Sequence, residues 1–451
     1  MKYIVTKINQ IKKNPYMVFF ISFASIIFFG ALLLVLPLAS QNGKSVGFVN
    51  ALFTSASATC VTGLTVVNTA SHWTVFGKIV IITLIQIGGL GVMTMTAMIS
   101  FFIGKRISLK TRILIMEERN VNELQGVVRL TKNILLFTFA SELIGAMLLS
   151  TVFIKDYGVS KGIGFSIFHA ISSFCNAGFD ITGNSMVRYV DNFIITWSVC
   201  TLVVVGGIGY FVLWDIHASK NFHKLTLHSK LVLVTTSVLV VFGVVIIFIL
   251  ERNNPGTMGS LDISGKINAS LFQAINPRTS GYNSVPLENL RMATVAIIIV
   301  FMFIGGSPAS TAGGIKTTTM AVLIVSFYNL FRGKRDFEVF ERRIMPETTI
   351  RAAAVLMVSL MLVIICSIVL SITEESAGFN YTDILFETVS AFATVGLSRG
   401  LTPYLSDVGK IMLTIVMLIG RVGPMTVAYA FLKQNRNIGN YTYPEGKVII
   451  G

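Results

Sequence analysis

Charge is scarce in this chain. Only 13% of its 451 residues are Asp, Glu, Lys or Arg, and acids are fewest, 21 against 36 bases. Ordinary soluble proteins carry about 25% charged residues. The longest non-apolar stretch is about thirty residues, which excludes a soluble domain of ordinary size. The apolar runs hold no paired carboxylates, no His-Glu-x-x-His and no Ser-His pairing in register, so an intramembrane enzyme has no candidate centre. Nothing matches a P-loop or a G-x-G-x-x-G following a strand, so the chain is not expected to bind nucleotide itself. The four cysteines, Cys60, Cys175, Cys200 and Cys366, form no C-x-x-C and lie in or beside apolar segments. They read as small buried hydrophobes rather than disulfide or metal ligands.

What the chain has is long apolar runs, 53% of its residues being hydrophobic. The runs at 16–36, 134–154, 193–214, 231–250, 355–372 and 411–432 are each long enough, or nearly so, to cross a hydrocarbon core of about 30 Å. Those at 74–103 and 292–331 are longer, the second with a polar interruption. Eight spanning segments result. The first run ends in a weak signal-peptidase-like pattern, but it is long for a signal peptide and is kept as a mature helix. The net charge of +15 is unevenly placed. The N-terminus, the loops at 104–132, 215–230 and 332–351 and the C-terminal tail carry 4, 7, 3, 6 and 3 Lys or Arg, while the four intervening outer stretches, which leave out Lys316 and Arg421, together carry 11. The basic side is therefore read as cytoplasmic, with both termini inside. Basicity here reports topology, and no nucleic-acid partner is expected.

The chain also repeats itself. An aromatic-led amphipathic stretch runs into a short polar segment ending in glycine at 53–63 (FTSASATCVTG), 168–178 (FHAISSFCNAG), 272–281 (FQAINPRTSG) and 386–396 (FETVSAFATVG). The terminal glycines are 115, 103 and 115 residues apart. About 25 residues later come small-residue clusters, Gly88-Gly89-Leu90-Gly91, Gly206-Gly207-Ile208-Gly209, Gly305-Gly306-Ser307-Pro308 and Gly420-Arg421-Val422-Gly423. Each unit reads as helix, outer loop, half-helix, return segment and helix. The expected organisation is a cytoplasmic N-terminus (1–15), pore repeats at 16–103, 133–214, 231–331 and 350–432, and a cytoplasmic tail (433–451). The basic connections at 117–119 and 335–343 read as solvated surface helices or docking surfaces. The half-helices are half the length needed to span, so they are re-entrant candidates. Irregular backbone at membrane depth is tolerated where protein buries it or where it lines a watery cavity. Packing alone would explain one such loop, not four in register.

Carbonyl oxygens can replace the hydration shell of an alkali cation. Aiming several at one axis needs dihedrals that glycine reaches without a Cβ clash, and the negative C-terminal ends of the half-helices favour cations there. The five-residue segments contain no acid, which suits carbonyl coordination of a monovalent ion better than a carboxylate ring. The expected carbonyl ligands are Cys60, Val61, Thr62 and Gly63; Cys175, Asn176, Ala177 and Gly178; Arg278, Thr279, Ser280 and Gly281; and Ala393, Thr394, Val395 and Gly396. The fold expected is an all-α integral membrane protein, four tandem helix–pore-loop–helix repeats with pseudo-fourfold symmetry about one pore.

The fourfold half-helix and glycine-ended loop with flanking spans resembles the Ktr/Trk/HKT superfamily of potassium transporters. The likeness covers essentially the whole chain and is closest to the bacterial Ktr membrane subunit (KtrB/KtrD-like). An extra pair of N-terminal helices usual in the Trk-type subunit has no counterpart in this sequence. The resemblance implies that Gly63, Gly178, Gly281 and Gly396 are filter glycines. In plant relatives a serine at the first of these accompanies sodium preference, so glycine at all four favours potassium. The loops keep only the central glycine of the channel signature T-V-G-Y-G, a departure the family shares. The resemblance further implies K⁺ uptake in a bacterial plasma membrane, Na⁺ as a coupling or activating ion, no cofactor on this chain, a homodimer with one pore per subunit, and a cytosolic RCK-type regulatory ring that binds the nucleotide (ATP or ADP).

The third cluster departs from the others. Gly305, Gly306, Ser307, Pro308, Ala309, Ser310, Thr311, Ala312, Gly313 and Gly314 are ten consecutive small residues or proline. Gly costs about 1 kcal/mol and Pro about 3 kcal/mol against Ala within a helix, so 305–319 is expected to unwind at mid-membrane. The resemblance makes it the intramembrane gating loop; a merely kinked helix would need one proline. Arg421 lies at the matching position of the fourth repeat. A charge there costs at least about 2.5–3.5 kcal/mol, so it should face the cavity and bind the loop, clamping it shut. Lys316 either snorkels or supports the loop. Glu142 either belongs to a coupling-ion site or makes a hydrogen bond to a neighbouring helix. Asp215, His217, His223 and His228 form no i, i+4 metal pair and read as solvated. Two further functions stay open: a Na⁺-conducting or weakly selective monovalent cation pathway of the same superfamily, and an alternating-access transporter. The second is disfavoured because all four units run in the same direction.

Overall fold

The computed structural model describes residues 15–92, 94–95, 97–98, 127–334 and 336–431. The basic stretch at 117–119, the end of the first repeat at 99–103 and the tail at 433–451 lie outside them. The elements follow in four sets: α1 (Pro15–Val35), α2 (Phe48–Thr59) and α3 (Val75–Leu90); α4 (Val127–Tyr157), α5 (Val159–Phe174), α6 (Phe193–Ile208) and α7 (Tyr210–Ser219); α8 (Leu227–Glu251), α9 (Ile263–Ile275), α10 (Met292–Phe303) and α11 (Thr317–Phe331); α12 (Pro346–Thr373), α13 (Tyr381–Phe392), α14 (Asp407–Val422) and α15 (Pro424–Phe431).

Helix α1, residues 131–157 of α4, α8 and α12 are long and apolar enough to cross a membrane. Only 22–33% of each most apolar window is buried. Large apolar side chains such as Phe29, Leu136, Val241 and Met357 stand exposed along them, a surface that suits lipid rather than water. The short helices α2, α5, α9 and α13 lie inside this layer. Their leading aromatics Phe53, Phe168, Phe272 and Phe386 are all buried.

In the first, second and fourth sets the second helix is shorter than its apolar run, which corrects the expectation of one continuous helix. Helix α6 ends at Gly209 and meets α7 at 91°; α14 ends at Gly423 and meets α15 at 96°. Helix α3 stops at Gly91 in the same way. These three glycines have φ between 85° and 99°, outside the helical region and open to glycine without strain. Counting each bent pair as one span gives up to six spans among the described residues, with α3, α10 and α11 as shorter apolar helices. The small-residue stretch of the third set is non-helical, and helix resumes at Thr317, so the last three residues of the range expected to unwind are helical.

The basic stretch at 335–343 is not a surface helix. Strands β1 (Phe337–Val339) and β2 (Arg342–Ile344) pair antiparallel, joined by Phe340 and Glu341, both at positive φ. Phe337 and Val339 alternate with the exposed Glu338 and pack with Ile344 on Val322 and Leu323 of α11, so period-two burial overrode the charge pattern.

Candidate functional site

Each inner half-helix ends in a right-handed residue and then reverses. Cys60, Cys175 and Ala393 cap α2, α5 and α13 with φ from −79° to −72°. Two positions before each terminal glycine the backbone turns left-handed: Val61 at 58°, Asn176 at 61°, Thr279 at 77° and Thr394 at 51°. The glycines turn left-handed again, Gly63 at 97°, Gly178 at 65°, Gly281 at 74° and Gly396 at 92°. Three of the four penultimate turns use β-branched residues, which resist that region at a cost of about 1–2 kcal/mol each. Such strain persists only where the surroundings over-determine it, and it clusters at functional sites.

Backbone amides in these loops point back to the half-helices. Thr62 N donates to Ser57 O, Ala177 N to Ser172 O and Val395 N to Ser390 O, at 2.7, 2.7 and 2.8 Å. In the third loop, one residue shorter, Ser280 N donates to Asn276 O at 2.9 Å. Gly63 N and Gly396 N donate to the hydroxyls of Ser57 and Ser390, each at 3.0 Å. With the donors spent on the half-helices, the carbonyls of Thr62, Ala177, Ser280 and Val395 accept no hydrogen bond among the described residues.

Those four carbonyls and the four glycines form a closed cycle. A Cβ on Gly63 would collide with Ala177 O, one on Gly178 with Ser280 O, one on Gly281 with Val395 O, and one on Gly396 with Thr62 O. Each loop therefore touches the next, and the fourth returns to the first. Buried polar atoms without a partner gather here too, among them the hydroxyls of Thr59, Thr62, Ser280 and Thr394. The arrangement can offer oxygens to a dehydrated cation without any carboxylate.

Above the glycines lies a cavity of about 190 Å³. All four glycines line it, as do the residues two positions beyond them, Thr65, Asp180, Asn283 and Ser398. Asp180 contributes its charge but not free oxygens. Its carboxylate accepts from Thr182 N and Oγ1 (2.7 and 2.6 Å), Gly183 N (2.8 Å) and Ser185 N (2.9 Å), and His169 Nε2 lies 3.1 Å from it. Burial pushes this carboxyl up, but the bonds from His169 and Thr182 outweigh it and hold it below the usual carboxylate range. Sequence reasoning passed over this second register; it is visible as the +2 position after each glycine.

Below the glycines the third set intrudes. Residues 304–316 leave α10 and return through a bridge between Ile304 and Ile315, with Gly305 N donating to Ile315 O at 2.9 Å and Thr317 N to Gly306 O at 3.0 Å. Between these points the loop crosses the inner side of the ring. Ser307 N and Thr311 N donate to the carbonyls of Gly207 and Gly206 in α6 at 3.0 and 3.2 Å. Tyr210 N donates to Ala309 O at 3.2 Å, and a Cβ on Gly209 would lie 2.5 Å from Pro308 O. On the opposite side a Cβ on Gly313 would collide with Thr394, and one on Gly314 would lie 3.2 Å from Ala393. The Arg421 guanidinium donates to Thr311 O in the loop and to Gly88 O in α3, joining three sets of helices. Lys316 turns back, its ammonium donating to Ala312 O at 2.7 Å, so it supports the loop rather than snorkelling. Ser310 Oγ donates to Ser307 O at 2.6 Å.

The Arg278 side chain is buried, with Nη2 donating to Thr236 Oγ1 at 3.3 Å. Glu142 accepts from Gln86 Nε2 at 3.0 Å, with Cys175 Sγ at 3.9 Å, so it joins α4 to α3 by an interhelical hydrogen bond. Asp215 is not solvated: it accepts from Thr226 N and Oγ1 at 3.0 and 2.8 Å and pins the turn between α7 and α8.

The chain's residues 13–439 match the TrkH family, described as cation transport protein. It is 43% identical over 444 residues to Ktr system potassium uptake protein B of Bacillus subtilis, covering 98% of both chains. It is 42% identical over 442 residues to potassium/sodium uptake protein NtpJ of Enterococcus hirae, covering 97% of both. The crystal structure of the potassium transporter TrkH from Vibrio parahaemolyticus superposes with a TM-score of 0.73 at 15% identity, over 92% of this chain and 84% of that one, a likeness of fold. A family match over nearly the whole chain, relatives above 40% identity and a shared, mostly helical fold lead to one assignment: the chain belongs to the TrkH family of cation transport proteins.

Proposed function

We propose that the chain is a K⁺ uptake pathway of a bacterial plasma membrane, in which four glycine-ended loops form a carbonyl-lined selectivity filter around one pore. The observation that carries it is the cycle in which each filter glycine faces the free carbonyl of the next loop. A ring of such carbonyls substitutes for the water shell of K⁺, and the membrane potential, about 2.3 kcal/mol per charge per 100 mV, drives uptake without nucleotide hydrolysis. The filter faces outward, both termini lie in the cytoplasm, and eight segments span. The 305–319 loop closes the inner side, held by Arg421 and steadied by Lys316. Na⁺ stimulates uptake, the membrane unit is a homodimer, and a cytosolic nucleotide-binding ring of the RCK type controls it; the basic loops are the surface it would meet. The relatives named for the Ktr system support this reading.

The relative named for potassium and sodium uptake favours a second reading, a pathway of weaker selectivity. Growth at low potassium, in cells lacking their own uptake systems, separates the two. Wild type should restore growth and Gly63→Ser should lose preference for K⁺ over Na⁺. No rescue by wild type, with the protein present in the membrane, would contradict the K⁺ assignment.

A further inference from the structure

On the face that carries the basic loops, three helices begin around one groove of about 460 Å³. Leu227 and Leu231 of α8, Val322 of α11 and Val355 of α12 make its apolar wall. Arg343 of β2 and Arg351 in the first turns of α12 stand at its edge, and among the described residues that line it none is acidic. Arg343 Nη2 pairs with Asp336 at 2.8 Å, which fixes the guanidinium while its other nitrogens stay open at 62% side-chain exposure. Thr318 and Thr319 of α11 and Thr348 of α12 add hydroxyls between the charged edge and the apolar wall. The N-terminal ends of α8, α11 and α12 converge there, and each brings partial positive charge.

An apolar wall running beside lipid-exposed helices, topped by two guanidinium groups, hydroxyls and helix N-termini, is built for an amphipathic anion. We propose that this groove binds an anionic phospholipid, its phosphate on Arg343 and Arg351 and an acyl chain along Leu231, Val322 and Val355. Basic pockets between spanning helices take such headgroups, and a guanidinium recognises phosphate by paired N–H donors. The placement in the inner leaflet rests on the orientation proposed above; the binding itself does not. The site matters to the pore because Thr318 and Thr319 directly follow Lys316 and Thr317, where the 304–316 loop closes on Gly306. A lipid seated there presses on the root of the loop.

The test is native mass spectrometry of the purified full-length chain in detergent, with phosphatidylglycerol and phosphatidylcholine added at equal concentration. Wild type should retain phosphatidylglycerol at least threefold over phosphatidylcholine. The double variant Arg343→Gln/Arg351→Gln should lose that preference while keeping the wild-type thermal midpoint. Should that variant fail to fold, Leu231→Trp, which fills the apolar wall and keeps both arginines, must also lose the adduct. Equal retention of the two lipids by wild type would overturn the proposal, as would an unchanged preference in the variants. Complete displacement by inorganic phosphate alone would assign the site to a free anion instead, and adducts confined to monomers would assign it to a second copy of the chain. Either result counts against the lipid. None of these outcomes depends on whether the pore carries K⁺.

Discussion

Three of the four inner segments are built alike and the third is not. In the first, second and fourth sets the leading glycine of the small-residue cluster, Gly88, Gly206 or Gly420, takes the last carbonyl of its own half-helix, Thr59 O, Phe174 O or Phe392 O, where a Cβ would overlap. In the third set Gly305 meets Gly313 O, which belongs to the loop itself. The three second helices α3, α6 and α14 are also capped by Thr74, Asn192 and Ser406 side chains, whereas α10 has no side-chain cap and Arg291 N is held by Glu251 at 3.0 Å. Tight glycine-to-carbonyl contacts fix three helices against the half-helices. The corresponding place in the third set is filled by a loop that hydrogen-bonds both within itself and to other sets. On the function proposed above, the symmetric contacts would hold the filter and the exception would supply the part that moves.

The largest effect should come from the symmetric ring. Gly178→Ala would place a Cβ 2.5 Å from Ser280 O and 2.7 Å from Gly281 Cα, at a φ of 65°. Left-handed strain alone is about 1–2 kcal/mol, and backbone overlap adds to it. K⁺ uptake should fall at least about tenfold at equal expression, since 1.4 kcal/mol is a factor of ten. Wild-type uptake with intact selectivity would break the claim that these loops line the pathway.

Next in size is the clamp on the exceptional loop. Hydrogen bonds to a charged group contribute about 1.5–3 kcal/mol. Arg421→Ala removes those to Thr311 O and Gly88 O, so flux through reconstituted protein should rise up to about tenfold, and Arg421→Lys should rise less. Unchanged flux in Arg421→Ala would remove the clamp from the account.

A paired substitution sharpens the contrast directly. Gly420→Ala drives a methyl into Phe392 O, with overpacking that costs about 1–3 kcal/mol, and should lower the thermal midpoint. Gly305→Ala meets only the loop's own Gly313 O, so it should alter flux more than the midpoint. Equal losses of stability would mean that the third set is as fixed as the others.

The smallest effect concerns pH. The Asp180 carboxyl is held below its usual range, so its stabilisation is present above the unfolded value of about 3.9 and is lost as pH falls through the folded value. Between pH 7 and pH 5 the thermal midpoint should be flat on this account and should drop only below about pH 4. Asp180→Asn should lower the midpoint at pH 7 and flatten the acid limb, by about 1–2 °C. An Asp180→Asn protein with the wild-type midpoint at pH 7 would show that the Thr182–Ser185 turn does not depend on the charge.

Much of this was legible because repetition supplied its own alignment. Four glycines at similar spacing marked the loops, and ten small residues marked the unwound stretch before any coordinates. Propensity hid the rest. Val61, Thr279 and Thr394 are β-branched, and nothing local predicts left-handed φ for them; the amide bonds to Ser57, Asn276 and Ser390 impose it. The bends at Gly209 and Gly423 lay inside unbroken apolar runs, which signal burial in lipid but not direction. The hairpin at 337–344 was masked by its charges, because its three residues packed on α11, the buried Ile344 and the half-buried Phe337 and Val339, count for more than its exposed ones. Asp180 gave no signal of its own; only the folded loop shows its oxygens committed to Thr182, Gly183 and Ser185.

The most direct test of the division between fixed filter and movable loop is K⁺ and Na⁺ flux through proteoliposomes containing a chain with residues 309–312 deleted. That deletion removes the Thr311 contacts to Gly206, Phe174 and Arg421 and leaves the sequence of the four filter loops unchanged. The account predicts higher K⁺ flux with the wild-type K⁺/Na⁺ ratio. Unchanged flux, or a gain that comes with lost discrimination, would contradict it.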